Sequence, residues 1–245
     1  MQKLTNPNGR ILYEGPSMLD GAPIVVIATG FTEVSGNDKT GSMLQTWIMR
    51  ADIPPHIAFK SAAGRSVCGD CKHSGTADDV CYVLWWQAPL AVWTCWHSGA
   101  GYAPATPEDF TDLALRMGSC GDPAAVPQWI WAPILGKVRK RTGYTHQWRD
   151  PRFAWLKDFV QASVDSITEA REAGAAGWHK FRVRQKGDTT YLPGEVHCPA
   201  SEEKGHLTNC VTCSACDGTT GDRVIDAHGA KAANFTTPIP EQVTA

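Results

Sequence analysis

Apolar residues in this chain fall in short blocks separated by glycine, proline and small polar residues, a spacing that suits strands and short helices. Residues 1–20 read as an extended arm ending in turn chemistry at Gly15-Pro16. The run 23–28 is continuous and β-branched, is bounded by Gly21 and Gly30, and predicts a buried strand. A polar turn from Gly36 to Gly41 then leads into a helix predicted over 42–50. A second strand is predicted at 57–61 and delivers the chain into a cysteine loop. Residues 82–96, rich in Trp and Leu, read as a buried helix broken near Pro89. Thr106-Pro107-Glu108-Asp109 combines an N-cap, a first-turn proline and first-turn acids, which mark a helix start.

Beyond that point strand and helix alternate. A strand over 113–119 meets a turn at Gly121-Asp122-Pro123, and a helix follows over 124–141 that Pro127 and Pro133 must bend or shorten. Residues 143–148 and the second half of 155–163 read as strands. Ser166 and Glu169 form a capping-box pattern that opens a helix through Ala175, with Gly174 and Gly177 to stop it. Strands at 180–183, 195–197 and 224–225 complete the pattern. Such alternation predicts an α/β fold with a mainly parallel sheet, open or closed as a barrel. Chemistry in these folds collects on loops at the C-terminal ends of strands, where the loops 68–81 and 118–123 fall. Three stretches result: an N-terminal extension, 1–50, with one strand and a helix; an α/β core, 51–196; and a cysteine-rich metal or cluster segment, 197–245.

At 245 residues with 42% apolar and 20% charged residues, the chain can build one good core or two modest ones. A net charge of −2 gives no bulk argument for nucleic acid or an anionic membrane. The local run Lys137-Val138-Arg139-Lys140-Arg141 offers a cationic contact, and reads equally as a solvated helix face. The opening residues hold no apolar core of signal-peptide length, and no apolar run is long enough to span a membrane. The expectation is a soluble cytoplasmic protein without a membrane partner. Its nine cysteines then suit metal ligation better than disulfides, because that compartment keeps thiols reduced.

Cys68 and Cys71 stand at C-x2-C spacing, and Cys81 follows after nine residues. Three thiols need a fourth ligand from afar or leave a coordination position open. His73, two residues after Cys71, is the nearby candidate for a Cys3His zinc site. The second set, Cys198, Cys210, Cys213 and Cys216, supplies four thiols, with a C-x2-C-x2-C triplet that suits an iron–sulfur cluster and the alternative of a zinc knuckle. A single site sharing cysteines from both sets is the third arrangement. The turn from Gly36 to Gly41 is not a Walker loop, because Asn37 and Asp38 separate Gly36 from Lys39.

The three-cysteine loop after an early strand, the Gly-Asp-Pro turn after a later one and the continuing alternation resemble the radical S-adenosylmethionine (SAM) superfamily over residues 55–230. Cys81-Tyr82-Val83, Tyr144 to Trp148, and Cys198 to Ser201 also resemble segments of phage and mobile-element proteins. The superfamily's usual spacing is C-x3-C-x2-C with an aromatic before the last cysteine; here Tyr82 follows it. The resemblance implies a partial or complete radical-SAM-like (β/α) barrel. It also implies a 4Fe–4S cluster on Cys68, Cys71 and Cys81 that cleaves SAM reductively to start radical chemistry on a small-molecule or nucleotide substrate. Gly118, Gly121, Asp122 and Tyr82 would contact the cofactor, Asp122 taking the acidic role and the C-terminal cysteines an auxiliary cluster.

His146, at a predicted strand end, suits substrate binding or proton transfer, and reads also as a core histidine; His228 is a second such candidate. Lys180 and Arg182 bracket Phe181 on one strand face and suit an anionic ligand or internal salt bridges. The tryptophans at 85, 86, 93, 96, 129 and 131 fit helix packing better than base stacking. Cys95 reads as a buried apolar residue, and Cys120 lies near enough to the turn to approach a ligand. Two classes follow: an iron–sulfur enzyme, and a non-enzymatic zinc-binding protein of phage type that contacts nucleic acid or a protein partner.

Overall fold

The computed structural model describes residues 5–74, 80–99, 101–229 and 231–236. Strands β1 (Gly9–Pro16), β2 (Pro23–Thr29) and β3 (Leu44–Arg50) form an antiparallel meander. Helices α1 (Pro55–Phe59), α2 (Arg65–Cys68) and α3 (Ala88–His97) and the short β4 (Ala103–Pro104) then carry the chain over to β5 (Ala114–Cys120). Helix α4 (Gln128–Leu135) leads to β6 (Lys140–Thr145), and a 3-10 segment (Pro151–Asp158) to β7 (Gln161–Val164). Helix α5 (Ile167–Ala175) precedes β8 (Lys180–Arg184). The two-residue β9 (Val196–His197), the one-turn α6 (Cys210–Cys213) and β10 (Arg223–Asp226) close the order.

All ten strands belong to one sheet, in the order β4-β1-β2-β3-β5-β6-β7-β8-β10-β9. From β3 through β9 every neighbouring pair is parallel, so the α/β class with a mostly parallel sheet is as the alternation predicts. The sheet runs through all three stretches of the sequence.

Several predicted elements differ. Residues 44–50 form β3 and not a helix: Leu44, Ile48 and Met49 are buried, and the segment is flanked by β2 and β5, so both its edges find backbone partners. The strand predicted at 57–61 is helix α1, started by Pro55 in its first turn. The broken helix over 82–96 contracts to α3 with Pro89 in its first turn. The helix over 124–141 is a 3-10 turn (Pro123–Ala125) followed by α4, which has Pro133 inside. Strand β6 begins at Lys140, inside the basic run, and ends at Thr145. The helix start read at Thr106 to Asp109 opens a 3-10 turn (Pro107–Phe110) instead of an α-helix.

Alternation along the strands sorts the residues into two faces. Leu115, Met117, Ala162 and Val164 join the main core with α4 and α5 residues such as Trp131, Ala170 and Ala173. The other face presents Arg116, Gly118, Cys120, Tyr144, Ser163, Phe181, Val183 and Ile225 to a pocket. No helix is long and apolar enough to cross a membrane among the described residues.

Candidate active site

The pocket, about 160 Å³, lies on that second face. Cys68, Cys71, Cys81 and Cys120 are among the residues that line it. Their loop is fixed from both sides. Asp122 donates its N–H to Val67 O at 2.6 Å, and Gln147 Nε2 donates to Cys68 O at 3.3 Å. Gly69 adopts φ +56°, which side-chain-bearing residues rarely take, and a Cβ there would stand 2.4 Å from Gln147 Nε2. Further on, Lys72 pairs with Glu169 and His73 lies beside Asp165, which carries the loop across to the β7–α5 turn. Residues 75–79 of the predicted loop lie outside the described ones. Tyr82 returns to the pocket, accepting from Arg116 Nη2 at 3.0 Å and packing its ring on His228 at 5.1 Å.

Burial pushes the Cys68 and Cys71 thiols well up, and the neighbouring sulfurs push them further; burial and Cys81 do the same to Cys120. A bound cation reverses that preference, because thiolates are the ligating form. Tetrahedral zinc, with Zn–S bonds of about 2.3 Å, would hold sulfurs about 3.8 Å apart. Among the described residues no three cysteine sulfurs gather within 4.8 Å.

Asp122 also lines the pocket, and its carboxylate meets Thr145 and His146. Its Oδ1 accepts from Ala124 N at 2.9 Å and Thr145 Oγ1 at 2.8 Å, and its Oδ2 accepts from His146 N at 2.8 Å. Burial raises the Asp122 carboxyl above its ordinary value and lowers the His146 imidazole below its own. Gly118 and Gly121 both have positive φ, and a Cβ on either would strike backbone, at Gly121 O and Ile48 O. They line the pocket through backbone alone.

The second cysteine set sits under the N-terminal ends of the strands. Cys210 donates its N–H to Lys39 O at 2.7 Å, Gly143 donates to Cys216 O at 3.1 Å, and Gln161 Nε2 reaches Ala215 O at 3.3 Å. Cys198, Cys210 and Cys216 are buried with Met43, Ala114, Phe181 and Ile225, while Cys213 is half-buried. Burial raises the Cys210 thiol and pushes that of Cys216 up to about 12.

Lys180 and Arg182 take the salt-bridge alternative, with Asp222 and Glu195, on the face away from the pocket. The basic run also has internal partners: Lys137 pairs with Glu108, Lys140 donates to Val211 O, and Arg141 donates to Asp158 O. Trp85, Trp93 and Trp131 are buried, whereas Trp86 and Trp129 are exposed. Two residues of the site were not singled out from sequence. Arg116 is buried at the pocket floor and makes no ion pair with a carboxylate among the described residues. Asp165 follows β7 and lies beside His73 and His146. Their signal is position alone: Arg116 shares the strand face of Gly118, and Asp165 lies just past a strand end. No family model, curated protein or solved structure matches the chain.

Proposed function

We propose that the chain is an iron–sulfur enzyme of radical SAM type, with its parallel strands forming a partial (β/α) barrel. One observation carries this reading: Cys68, Cys71 and Cys81 line a single pocket over parallel strands, beside the turn that follows β5. These three thiolates would hold a 4Fe–4S cluster and leave one iron free for the amino and carboxylate groups of SAM. When bound, such a cluster supplies the electron that cleaves SAM and starts radical chemistry on a substrate.

The chain's own residues do the rest. Cys120 and the Gly118–Gly121 backbone form the wall against which a cofactor lies. Asp122 holds the ends of β5 and β6 together, and so acts as a positioning residue for His146. Arg116 offers a buried positive charge; burial opposes its charging, but Tyr82 and Tyr144 favour it. An uncompensated guanidinium in an apolar pocket favours an anionic group, as a small acid or a nucleotide carries. Phe181, Val183 and Ile225 give that space apolar walls. The cysteines at 198, 210, 213 and 216 would take an auxiliary cluster. A nucleic-acid-binding zinc protein is the weaker reading, since three cations of its basic run are engaged within the fold.

Anaerobic purification with iron, sulfide and zinc analysis tests the proposal. Two clusters predict about eight irons, falling by about four in Cys68→Ala/Cys71→Ala. A colourless protein with zinc alone would overturn it.

A further inference from the structure

We propose that His73, His146 and Asp165 form a mononuclear site for a divalent first-row metal ion, separate from both cysteine sets. One ligand atom from each lies within 4.8 Å of the other two. His73 Nε2, His146 Nε2 and Asp165 Oδ1 are all buried, and none has a hydrogen-bond partner. Three orphaned polar atoms meeting at one point are costly to bury unless something satisfies them together.

A histidine–aspartate pair does not account for the arrangement. His73 Nε2 approaches Asp165 Oδ1 to 3.1 Å, within ion-pair distance. Even a good pair would leave His146 Nε2 without a partner. Metal bonds of about 2.0–2.2 Å to nitrogen and oxygen hold such atoms about 3–4 Å apart, in keeping with their present spacing. Two imidazoles and a carboxylate suit zinc, iron(II) or manganese and leave coordination positions free for water or a substrate oxygen.

The residues behind the three ligands fix them, as outer-shell groups do at metal sites. Glu169 Oε2 accepts the Asp165 N–H at 2.8 Å, while its other oxygen pairs with Lys72, next to His73. His146 is fixed through its own N–H on Asp122. Phe235 packs against the His73 ring at 5.6 Å and shields it. His73 and His146 both border the cysteine-lined pocket, so an ion here would face the same bound molecule. The inference stands whether or not the cysteines hold iron.

Manganese(II) is the probe, because thiolates compete poorly for it. The full chain is titrated with Mn2+ and followed by electron paramagnetic resonance, with pulsed measurement of nitrogen couplings on the bound ion. The expected result is one bound ion coupled to imidazole nitrogen. Asp165→Asn should weaken binding by at least about tenfold, and Asp165→Glu, which keeps the oxygen donor, should weaken it less. Absence of a bound ion on the wild type, or a bound ion without nitrogen coupling, overturns the proposal without need of any variant. Equal affinity in folded Asp165→Asn would overturn it too.

Discussion

Asp122 shows how a single carboxylate beside a pocket can hold its surroundings together. Its two oxygens accept three hydrogen bonds, two of them from Thr145 and His146 at the end of β6. Asp122→Asn would turn one acceptor into a donor opposite a donor, and should lower unfolding free energy by about 1–3 kcal/mol in urea titration. Unchanged stability with lost cofactor binding would instead make Asp122 a direct ligand contact. Arg182 and Glu195 form a fully buried pair, with side chains 1% and 0% exposed. Glu195→Leu should cost about 3–5 kcal/mol, and adding Arg182→Met should recover much of that, since the stranded charge is the main penalty. At this scale the sequence singled out Cys68, Cys71 and Cys81 by their spacing, and the three line one pocket. Arg116 and Asp165 escaped sequence reading, because what singles them out is which residues on other strands face them.

Among the elements, the predictions held where local chemistry decides. Ser166 caps α5 by accepting the Glu169 N–H at 3.1 Å, as its pattern predicts, although the Glu169 carboxylate reaches back to Asp165 instead of Ser166. Ser166→Ala should cost about 1 kcal/mol in thermal unfolding. Strand β3 defeated sequence reading because its mixed pattern fits a helix turn equally well, and only pairing with β2 and β5 resolves it. Two glycines tie the cysteine segments to the sheet independently. Gly69 lies against Gln147, and Gly218, at φ +88°, would bring a Cβ to 2.5 Å from Lys157 O. Gly69→Ala should lower metal content at the first cysteine set and spare the second, and Gly218→Ala should do the reverse. Metal analysis of the two variants separates the sets; equal loss in both would mean one shared site.

Across the whole molecule, two cysteine sets that sequence could only place in order both pack on the sheet face of Tyr144, Phe181, Val183 and Ile225. The first loop covers the pocket, and the C-terminal segment packs beneath the strand starts. Between them run Tyr82, Arg116 and Tyr144: Arg116 hydrogen-bonds Tyr82 and lies 5.5 Å from the Tyr144 ring, which borders Cys216. Parallel topology was legible from the alternation of elements, whereas the depth of the pocket and the His73–His146–Asp165 group depend on how strands distant in sequence are brought side by side. The most direct test of the proposed chemistry is the electron paramagnetic resonance spectrum of the anaerobically reconstituted, reduced protein, recorded with and without SAM. A cluster signal that changes on adding SAM, and that is missing from Cys68→Ala/Cys71→Ala, is the result this account predicts. A wild-type cluster signal indifferent to SAM, or no cluster signal at all, would contradict it.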